Sequence, residues 1–359
     1  MLHGHGGDVY SLAKEIGGSP DSILDFSSNV SPLPLPKGLD EVLISRLSEI
    51  RCLPEVDSRG VRETLAQRYG MSPDQFLVGS GTTEWIFSLP RILSPGKVII
   101  PLPTYADYAD AARLASCEIE TAGPWPEAGS GTDQDILGTL SGSASSGSLV
   151  FWCNPNNPTG RFISPDLLYR VIKESHETTW VIDESYAPFL GPDHESSLIA
   201  RGVPSNLVLL RSCSKIYGIP GLRLGYLAGS VALVAELADQ ARPWSVNRLA
   251  QIAGEYLLAG QDYEQEVRDY CMREKQRLLM ELECCSFLEP LKGSTHFILF
   301  RVHKPWTAAE LTRSLRKKSI IIRDCGNFVG LDGEYIRISL RDKAGNDRLV
   351  EAIKTLETR

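Results

Sequence analysis

The sequence predicts an α/β protein with a large, mostly parallel sheet and a second, smaller α+β domain. Four short apolar runs, at 97–102, 148–154, 180–185 and 206–212, are separated by segments long enough to hold a helix. Buried strands that alternate with helices are typical of a parallel sheet covered on both faces. The chain of 359 residues is also long enough to bury a large core and to divide into two domains.

The pattern changes after about residue 235, and this change predicts the second domain. A long helical pattern at residues 263–284 leads to strand-like runs at 296–302, 320–323 and 335–340. A helix followed by short strands indicates an α+β unit. We expect three parts: an N-terminal arm that packs with the small domain (1–35), a large domain (36–240) and a small C-terminal domain (241–359).

The composition points to a small ligand. Charged residues make up 23% of the chain and the net charge is −8, without blocks of like charge, so we expect no nucleic-acid or membrane partner. No apolar run approaches the ~20 residues of a membrane span. The eight cysteines show no CxxC or metal-ligand spacing, which predicts reduced thiols, no metal site and a cytoplasmic location.

Polar residues stand at the carboxyl ends of the predicted strands. NPNNPTG (154–160), DESY (183–186) and SCSK (212–215) each follow or end an apolar run. Ligands of open α/β sheets bind at this edge. Asp183 ends a buried strand, where a bare carboxylate is costly unless a cation or strong donor meets it, and a protonated heterocyclic nitrogen would serve. Taken alone, NPNNPTG is equally compatible with an ordinary Asn-Pro turn.

A glycine-rich loop and one lysine are further candidates. GSGTTE (79–84) lies between a strand-like and a helix-like run, so its N–H groups and hydroxyls could cradle a phosphate. A plain helix cap explains the same residues equally well. Lys215 lies among hydroxyl and glycine residues in SCSKIYGIPGLRLGY (212–226), with Arg223 eight positions later. A solvated surface charge is the alternative for this lysine.

Taken in order, GSGTTE, PTYADY, NPNNPTG, VIDESY and SCSKIYGIPGLRLGY resemble the fold-type I pyridoxal-phosphate enzymes of the class I/II aminotransferase superfamily, over nearly the full chain. The resemblance implies the fold-type I architecture and pyridoxal 5'-phosphate as cofactor. It implies that Lys215 links covalently to the cofactor, that Asp183 pairs with the ring nitrogen and that Tyr105 stacks on the ring. Tyr186 and Asn157 would hydrogen-bond the ring hydroxyl.

The same resemblance implies a separate set of donors for the cofactor phosphate. It combines a bidentate guanidinium with hydroxyls and a helix N-terminus. Its members are Gly81, Thr82, Thr83, Ser212, Ser214 and Arg223. The catalytic roles would fall to Lys215, Asp183 and Tyr105.

Within the superfamily the chain most resembles the threonine-phosphate decarboxylases of cobalamin biosynthesis, which are related to histidinol-phosphate aminotransferases. HGG (5–7), PWSVN (243–247) and Arg341 favour the decarboxylases, whereas NPNNPTG and PGLRLGY are shared by both groups. The resemblance implies a homodimer that decarboxylates an O-phospho-amino acid, phosphothreonine or phosphoserine, to a phosphorylated amino alcohol. A histidinol-phosphate-type aminotransferase is the alternative, and a non-catalytic relative that kept the fold is a third.

Arg323 and Arg337 are the candidates for binding the substrate anions, because guanidinium groups match carboxylates and phosphates alike. A decarboxylase must hold the substrate carboxylate in a fixed direction, and the substrate phosphate offers a handle for this. The resemblance adds further contacts to the substrate-binding set: His5, Gly6, Asn157 and Arg341. Exposed surface arginines, and a histidine without a role in a flexible arm, are the alternatives.

Three residues depart from the pattern of these families. Leu53 stands where a tyrosine usually reaches the cofactor phosphate of the partner subunit, which puts that contact in doubt. His296 replaces a usual asparagine and Ser185 a usual alanine.

Overall fold

The computed structural model describes residues 6–125, 131–190, 197–331 and 333–357. The N-terminal segment holds α1 (Val9–Ile16), β1 (Leu24–Asp25), α2 (Leu39–Ser45) and α3 (Arg59–Tyr69). Helix α1 begins where the Asp8 carboxylate accepts the Ser11 N–H, and it ends at Gly17 with a φ of 69°. An acceptor at the start and a left-handed glycine at the end are common helix boundaries.

A seven-stranded sheet lies at the centre of the described residues. Its strands are β2 (Phe76–Gly79), β3 (Lys97–Pro101), β4 (Glu118–Ala122), β5 (Ser148–Cys153), β6 (Thr179–Asp183), β7 (Leu207–Ser212) and β8 (Gly225–Ala228). They lie in the order β2-β8-β7-β6-β5-β3-β4. Strands β3 to β7 pair in parallel, whereas β8 runs antiparallel to both β7 and β2. The carboxyl ends of the parallel strands therefore meet at one edge.

Helices follow most of these strands and cover the sheet. They are α4 (Thr82–Leu93), α5 (Asp107–Leu114), α6 (Asp133–Ser143), α7 (Pro165–Glu174), α8 (Cys213–Ile216), α9 (Val231–Ala238) and α10 (Arg248–Leu258). All six residues of β5 are buried. Strands buried on both faces read as continuous apolar runs, and this is why the sequence predicts them correctly.

The C-terminal part forms a smaller antiparallel sheet. Its elements are α11 (Asp262–Leu282), β9 (Leu288–Pro290), β10 (Phe297–Val302), α12 (Ala308–Arg316), β11 (Ile320–Ile321), β12 (Arg323–Asp324), β13 (Tyr335–Ser339) and α13 (Lys343–Glu357). The sheet order is β12-β13-β10-β9, and β1 pairs separately with β11 in parallel. The segment before the large sheet is therefore tied to the segment after it.

These sheets confirm the predicted α/β fold with a large, mostly parallel sheet and a smaller second unit. The domain boundaries drawn from the sequence stay predictions. Strand β8 was not expected, because its four residues belong to a glycine-rich stretch that the sequence assigns to ligand binding. None of the helices in the described part of the chain combines the length and apolar character that a membrane span requires.

Candidate active site

A cavity of about 400 Å³ opens at the carboxyl ends of the parallel strands. Asp183 is the last residue of β6 and Ser212 the last of β7, so both strands deliver a polar side chain to it. Most of the residues predicted from the sequence line this cavity: Gly6, Thr82, Thr83, Tyr105, Asn157, Asp183, Tyr186, Ser212, Ser214, Lys215, Arg223, Arg323 and Arg337. The cavity thus gathers residues from both sheets and from the N-terminal arm.

Lys215 lies in the short helix α8, directly after β7, and lines the cavity. Burial, and after it the nearby charges of Arg337 and Arg223, lower the pKa of its ammonium group to about 8, while Asp183 opposes them. A lysine in such surroundings holds a larger fraction of free amine near neutral pH than a surface lysine does. The solvated-surface alternative does not describe this side chain.

Asp183 is buried and accepts three hydrogen bonds from the protein. The Ser185 N–H and hydroxyl donate to Oδ1 at 3.0 and 2.5 Å, and the Tyr108 hydroxyl donates to Oδ2 at 2.8 Å. Burial raises the pKa of the Asp183 carboxyl, and these donors act in the opposite direction. Donors of this kind stabilise the carboxylate in a site where its ionised form would otherwise be costly.

Tyr108 is a site residue that the sequence motifs do not predict. It is buried, its ring stacks on Phe151 with centroids 4.8 Å apart, and its hydroxyl reaches Asp183. The available signal was the second tyrosine of PTYADY, which stands three residues after Tyr105 and so on the same face of the chain as it enters α5.

Three side chains form the walls beside Asp183. Tyr105 meets Tyr108 edge to face, with centroids 5.7 Å apart, and burial raises the pKa of both phenols, so both stay neutral. The Tyr186 hydroxyl accepts a bond from Asn29 Nδ2 at 3.3 Å. Asn157 turns its Oδ1 toward Arg337, which donates to it. The described geometry thus offers aromatic surfaces and polar groups around one buried carboxylate.

The start of α4 and Arg223 form a second polar end of the cavity. Thr82 and Thr83 open the helix, and Gly81 before them has a φ of 79°. A Cβ on Gly81 would lie 2.5 Å from Arg223 Nη2, so only glycine allows the guanidinium to approach this backbone. A helix N-terminus beside a guanidinium attracts anions. Glycine also has no side chain with which to cap the helix, which weakens the plain-cap alternative.

Arg337 and Arg323 stand on neighbouring strands of the small sheet, opposite each other in the β12–β13 register. Arg337 is only 5% exposed and donates to the Ser27 carbonyl at 2.7 Å as well as to Asn157. Arg323 donates to Asn327 Oδ1 at 2.7 Å. In the described part of the chain neither guanidinium forms an ion pair with a carboxylate, so both positive charges face the cavity without an anionic partner.

Two predicted substrate residues are placed differently. Arg341 is not among the described residues that line the cavity; its guanidinium contacts the backbone and carboxylate of Asp25 and the carbonyl of Ser28. His5 lies outside the described residues, while its neighbour Gly6 lines the cavity.

Comparison with known proteins decides the family. A family model described as aminotransferase class I and II matches residues 22–353, which is nearly the whole chain. The chain belongs to the class I and II aminotransferase family. Members of this family depend on pyridoxal phosphate, and the chain has their fold-type I architecture.

Relatives with two different activities resemble this family member. A threonine-phosphate decarboxylase of Salmonella typhimurium is 34% identical over 99% of this chain and 96% of that protein. A histidinol-phosphate aminotransferase of Archaeoglobus fulgidus is 31% identical over 94% of each. The crystal structure of an L-threonine-O-3-phosphate decarboxylase from Porphyromonas gingivalis matches with a TM-score of 0.82 and 29% identity, over 94% of this chain and all of that one.

The structure gives a location to each departure from the aminotransferase-family pattern. Ser185 is a contact in its own right, because its hydroxyl donates to Asp183. Leu53 is 76% exposed on the surface of the chain. His296 is buried and stacks on Phe189 with centroids 3.6 Å apart, and burial together with the charges of nearby cations holds its pKa well below the usual value. This imidazole is therefore neutral.

Proposed function

We propose that the chain is a pyridoxal-phosphate-dependent carboxy-lyase. Its substrate is an O-phospho-amino acid, L-threonine O-3-phosphate or L-serine O-phosphate, and its product is a phosphorylated amino alcohol for cobamide biosynthesis. The observation that carries the proposal is the pair Arg323 and Arg337, two cavity-facing guanidinium groups without a carboxylate partner among the described residues. Two such groups suit a substrate that carries two anions.

The residues around the cavity fit the cofactor. An aldehyde requires an amine, and the cavity has a lysine with a lowered pKa. A pyridine nitrogen requires an acceptor, and the cavity has a buried carboxylate that three donors hold. A phosphate requires an anion-binding group, and the start of α4 provides one. We assign them to Lys215, Asp183 and the donor set of Gly81, Thr82, Thr83, Ser212, Ser214 and Arg223. Tyr105, Tyr186 and Asn157 would contact the ring. When bound, pyridoxal phosphate supplies an electron sink for the bond broken at the substrate Cα.

The protein's own part in the reaction is to bind, orient and manage protons. Arg337 is fixed by two hydrogen bonds and would hold one substrate anion in a constant direction, while Arg323 would take the other. Lys215 Nζ, with its pKa near 8, can hold or release a proton at physiological pH. Asp183 would hold a proton on the heterocyclic nitrogen of the cofactor.

The aminotransferase alternative is favoured by the Archaeoglobus fulgidus relative, which is nearly as similar as the decarboxylase. One screen separates the two: purified enzyme with phosphothreonine, phosphoserine or histidinol phosphate, with and without 2-oxoglutarate, while carbon dioxide and glutamate are measured. We expect carbon dioxide from a phospho-amino acid without 2-oxoglutarate. Glutamate from histidinol phosphate plus 2-oxoglutarate, without carbon dioxide, would establish the aminotransferase instead. Enzyme with Lys215→Ala serves as the blank.

The choice between phosphothreonine and phosphoserine is a matter of one methyl group. An apolar pocket separates such substrates by only about 1–3 kcal/mol, or about 10- to 200-fold in kcat/KM. The same screen therefore ranks the two substrates by their kcat/KM values.

We expect covalent capture of pyridoxal phosphate by the apoprotein to become faster as the pH rises through about 8. Only the free amine of Lys215 attacks an aldehyde, and burial places its pKa near 8 instead of 10.5. Below that pH the ammonium form dominates and capture slows. The rate is measured by the growth of visible absorbance at several pH values. Arg337→Ala removes a neighbouring positive charge and should move the midpoint upward; a wild-type midpoint near 10.5 would contradict the assignment.

We further propose a homodimer, located in the cytoplasm because all eight cysteines are free thiols. Exposed apolar side chains gather on adjacent segments, and they include Ile44 at 72%, Leu53 at 76% and Trp244 at 50%. The backbone N–H of Trp244 donates to the Val56 carbonyl at 3.2 Å, which joins the segments that carry Leu53 and Trp244. Monomeric proteins seldom expose such patches, so a second copy of the chain is the expected partner.

The variant Ile44→Asp/Leu53→Asp should raise the dimer dissociation constant by at least about 100-fold, because each apolar side chain contributes about 1.5–3 kcal/mol when buried. Sedimentation at several concentrations measures this constant. Met280→Asp is the matched control, since Met280 is 67% exposed on α11, apart from the patch. A wild-type monomer at micromolar concentration with full activity would refute the dimer.

A further inference from the structure

The DFSS turn, residues 25–28, follows β1 and is fixed on both sides by backbone hydrogen bonds. The Phe26 N–H donates to the Ile321 carbonyl at 2.7 Å, and the Phe26 carbonyl accepts the Ser339 N–H at 2.9 Å. The turn therefore lies between β11 and the end of β13. Ser27 and Ser28 line the cavity, so any shift of this turn moves part of the cavity wall.

Asp25 holds the turn together from within. Its Oδ1 accepts the Ser27 N–H at 2.8 Å and the Ser27 hydroxyl at 2.5 Å, and its Oδ2 accepts the Ser28 hydroxyl. An aspartate that accepts bonds from the residues just after it stabilises a tight turn. One carboxylate thus fixes both cavity-lining serines.

The Arg341 side chain contacts the same turn from outside. Its Nε donates to the Asp25 carbonyl, its Nη2 donates to the Ser28 carbonyl at 3.2 Å, and Nη2 lies 3.7 Å from Asp25 Oδ2. Burial lowers the pKa of this guanidinium from its ordinary value and the Asp25 charge opposes the shift, so the group stays charged. Its Nη1 also donates to the neighbouring Leu340 carbonyl at 3.5 Å; the other contacts go to the DFSS turn, and Arg341 is not among the described residues that line the cavity.

The position of the turn affects two groups at the end of the cavity that holds Arg323 and Arg337, which we call the substrate end. The Ser27 carbonyl accepts a bond from Arg337 Nη2 at 2.7 Å, and the Ser27 hydroxyl accepts the Gly7 N–H at 2.8 Å. A Cβ on Gly6 would lie 2.4 Å from the Ser27 carbonyl oxygen, so the arm rests directly on the turn. Gly6 and Gly7 line the cavity.

We propose that Arg341 is a positioning residue that acts through Asp25. It fixes the position of the DFSS turn. The turn in its place orients Arg337 and holds Gly6 and Gly7 of the N-terminal arm at the substrate end of the cavity. Arg341 does not itself bind the substrate. The part that concerns Arg337 rests on the proposed function, whereas the seating of the arm does not depend on which substrate the enzyme uses.

The first test is a double-mutant cycle on the holoenzyme with Arg341→Ala, Asp25→Ala and the double variant. If Arg341 acts through Asp25, each single change should raise the substrate KM by about 10- to 100-fold with a smaller effect on kcat, because a bond between charged groups is lost. The double variant should then be no worse than the poorer single variant. Arg341→Lys should recover part of the loss in KM, since lysine keeps the positive charge but cannot form the paired hydrogen bonds of a guanidinium group.

The second test measures the arm directly by limited trypsin cleavage after Lys14, which is exposed on α1. Both single variants should be cleaved at least about ten times faster than the wild type, as expected for the loss of ~1.4 kcal/mol of local stability. Ser27→Ala removes only the hydroxyl between Asp25 and Gly7 and should have the same effect, which keeps the test available if Arg341→Ala fails to fold.

Arg316→Ala is the matched control. Arg316 pairs with Glu15 of α1 at 2.9 Å but does not contact the DFSS turn, so its loss should leave KM unchanged. Non-additive KM effects together with faster cleavage support the proposal. Effects of Arg341→Ala and Asp25→Ala that multiply in the double variant, or cleavage as slow as in the wild type, would overturn it and return Arg341 to a direct substrate contact. If no phospho-amino acid reacts, the cleavage result still decides whether the arm is seated in this way.

Discussion

Lys215→Ala is expected to reduce kcat by about 10⁴-fold or more while the protein remains folded. The change would remove both the proposed covalent link to the cofactor and the proton transfers that we assign to this amine, and general acid–base contributions alone are worth about 10²- to 10⁴-fold. Lys215 is also the lysine that lines the cavity among the described residues. Pyridoxal phosphate should still bind this variant, because the proposed ring and phosphate contacts are intact, but without the visible absorbance of the lysine-bound cofactor.

The measurement compares turnover, visible absorbance and cofactor retention on desalting. Lys275→Met is a matched control: burial lowers the pKa of Lys275 to about 8 as well, but its Nζ donates to the carbonyls of Gly293 and Thr295. The control should keep the absorbance and most of the activity. An active, coloured Lys215→Ala enzyme would show that another lysine carries the cofactor.

Arg337→Ala and Arg323→Ala should each lower kcat/KM for the phosphorylated substrate by about 30- to 1000-fold, since a charge-assisted contact in the transition state is worth roughly 2–4 kcal/mol. Cofactor affinity should change little, because the proposed cofactor-phosphate donors are a separate set. We expect the larger loss from Arg337, whose guanidinium is anchored by Asn157 and Ser27 and is thus better preorganised than that of Arg323.

The two measurements to set side by side are kcat/KM and the cofactor dissociation constant. Arg301→Ala is the control, because Arg301 stands on the same small sheet but its guanidinium lies over the Tyr335 ring, 5.5 Å from the centroid. A weakened anchor also frees the substrate to turn, so a small aminotransferase side reaction is expected to accompany the loss in the two test variants. Near-wild-type kcat/KM in both variants would show that the substrate anions are bound elsewhere.

The sequence predicts those parts of the site that lie within one continuous motif. Asp183 and Lys215 each follow or end a buried strand, so their motifs also specify their position at the edge of the sheet. The parts that it does not predict depend on contacts between distant segments. Arg341 meets Asp25 across more than 300 residues, and no local pattern distinguishes an arginine that binds a ligand from one that binds a turn.

Ser185 is a second case in which the sequence alone does not reveal a contact of the site. As a departure from the usual alanine it carries no meaning in the sequence, yet in the fold its hydroxyl is one of three donors to the Asp183 carboxylate. The fold itself was easier to predict, because most of the fully buried strands leave continuous apolar runs, whereas the four-residue β8 lies within a glycine-rich stretch.

The two ends of the cavity differ in how freely they can evolve. At the α4 end, Gly81 is constrained by its positive φ and by the nearby Arg223 guanidinium, and Gly225 by backbone atoms within 3 Å of a Cβ, so both positions tolerate side chains poorly. The opposite end is assembled from side chains on the DFSS turn, β12 and β13, and under the proposed function substitutions there would change what is bound without disturbing the first end. A lineage can therefore exchange substrates while it keeps its cofactor. Such an exchange would fit the similar identities, 34% and 31%, of a decarboxylase and an aminotransferase to the same chain.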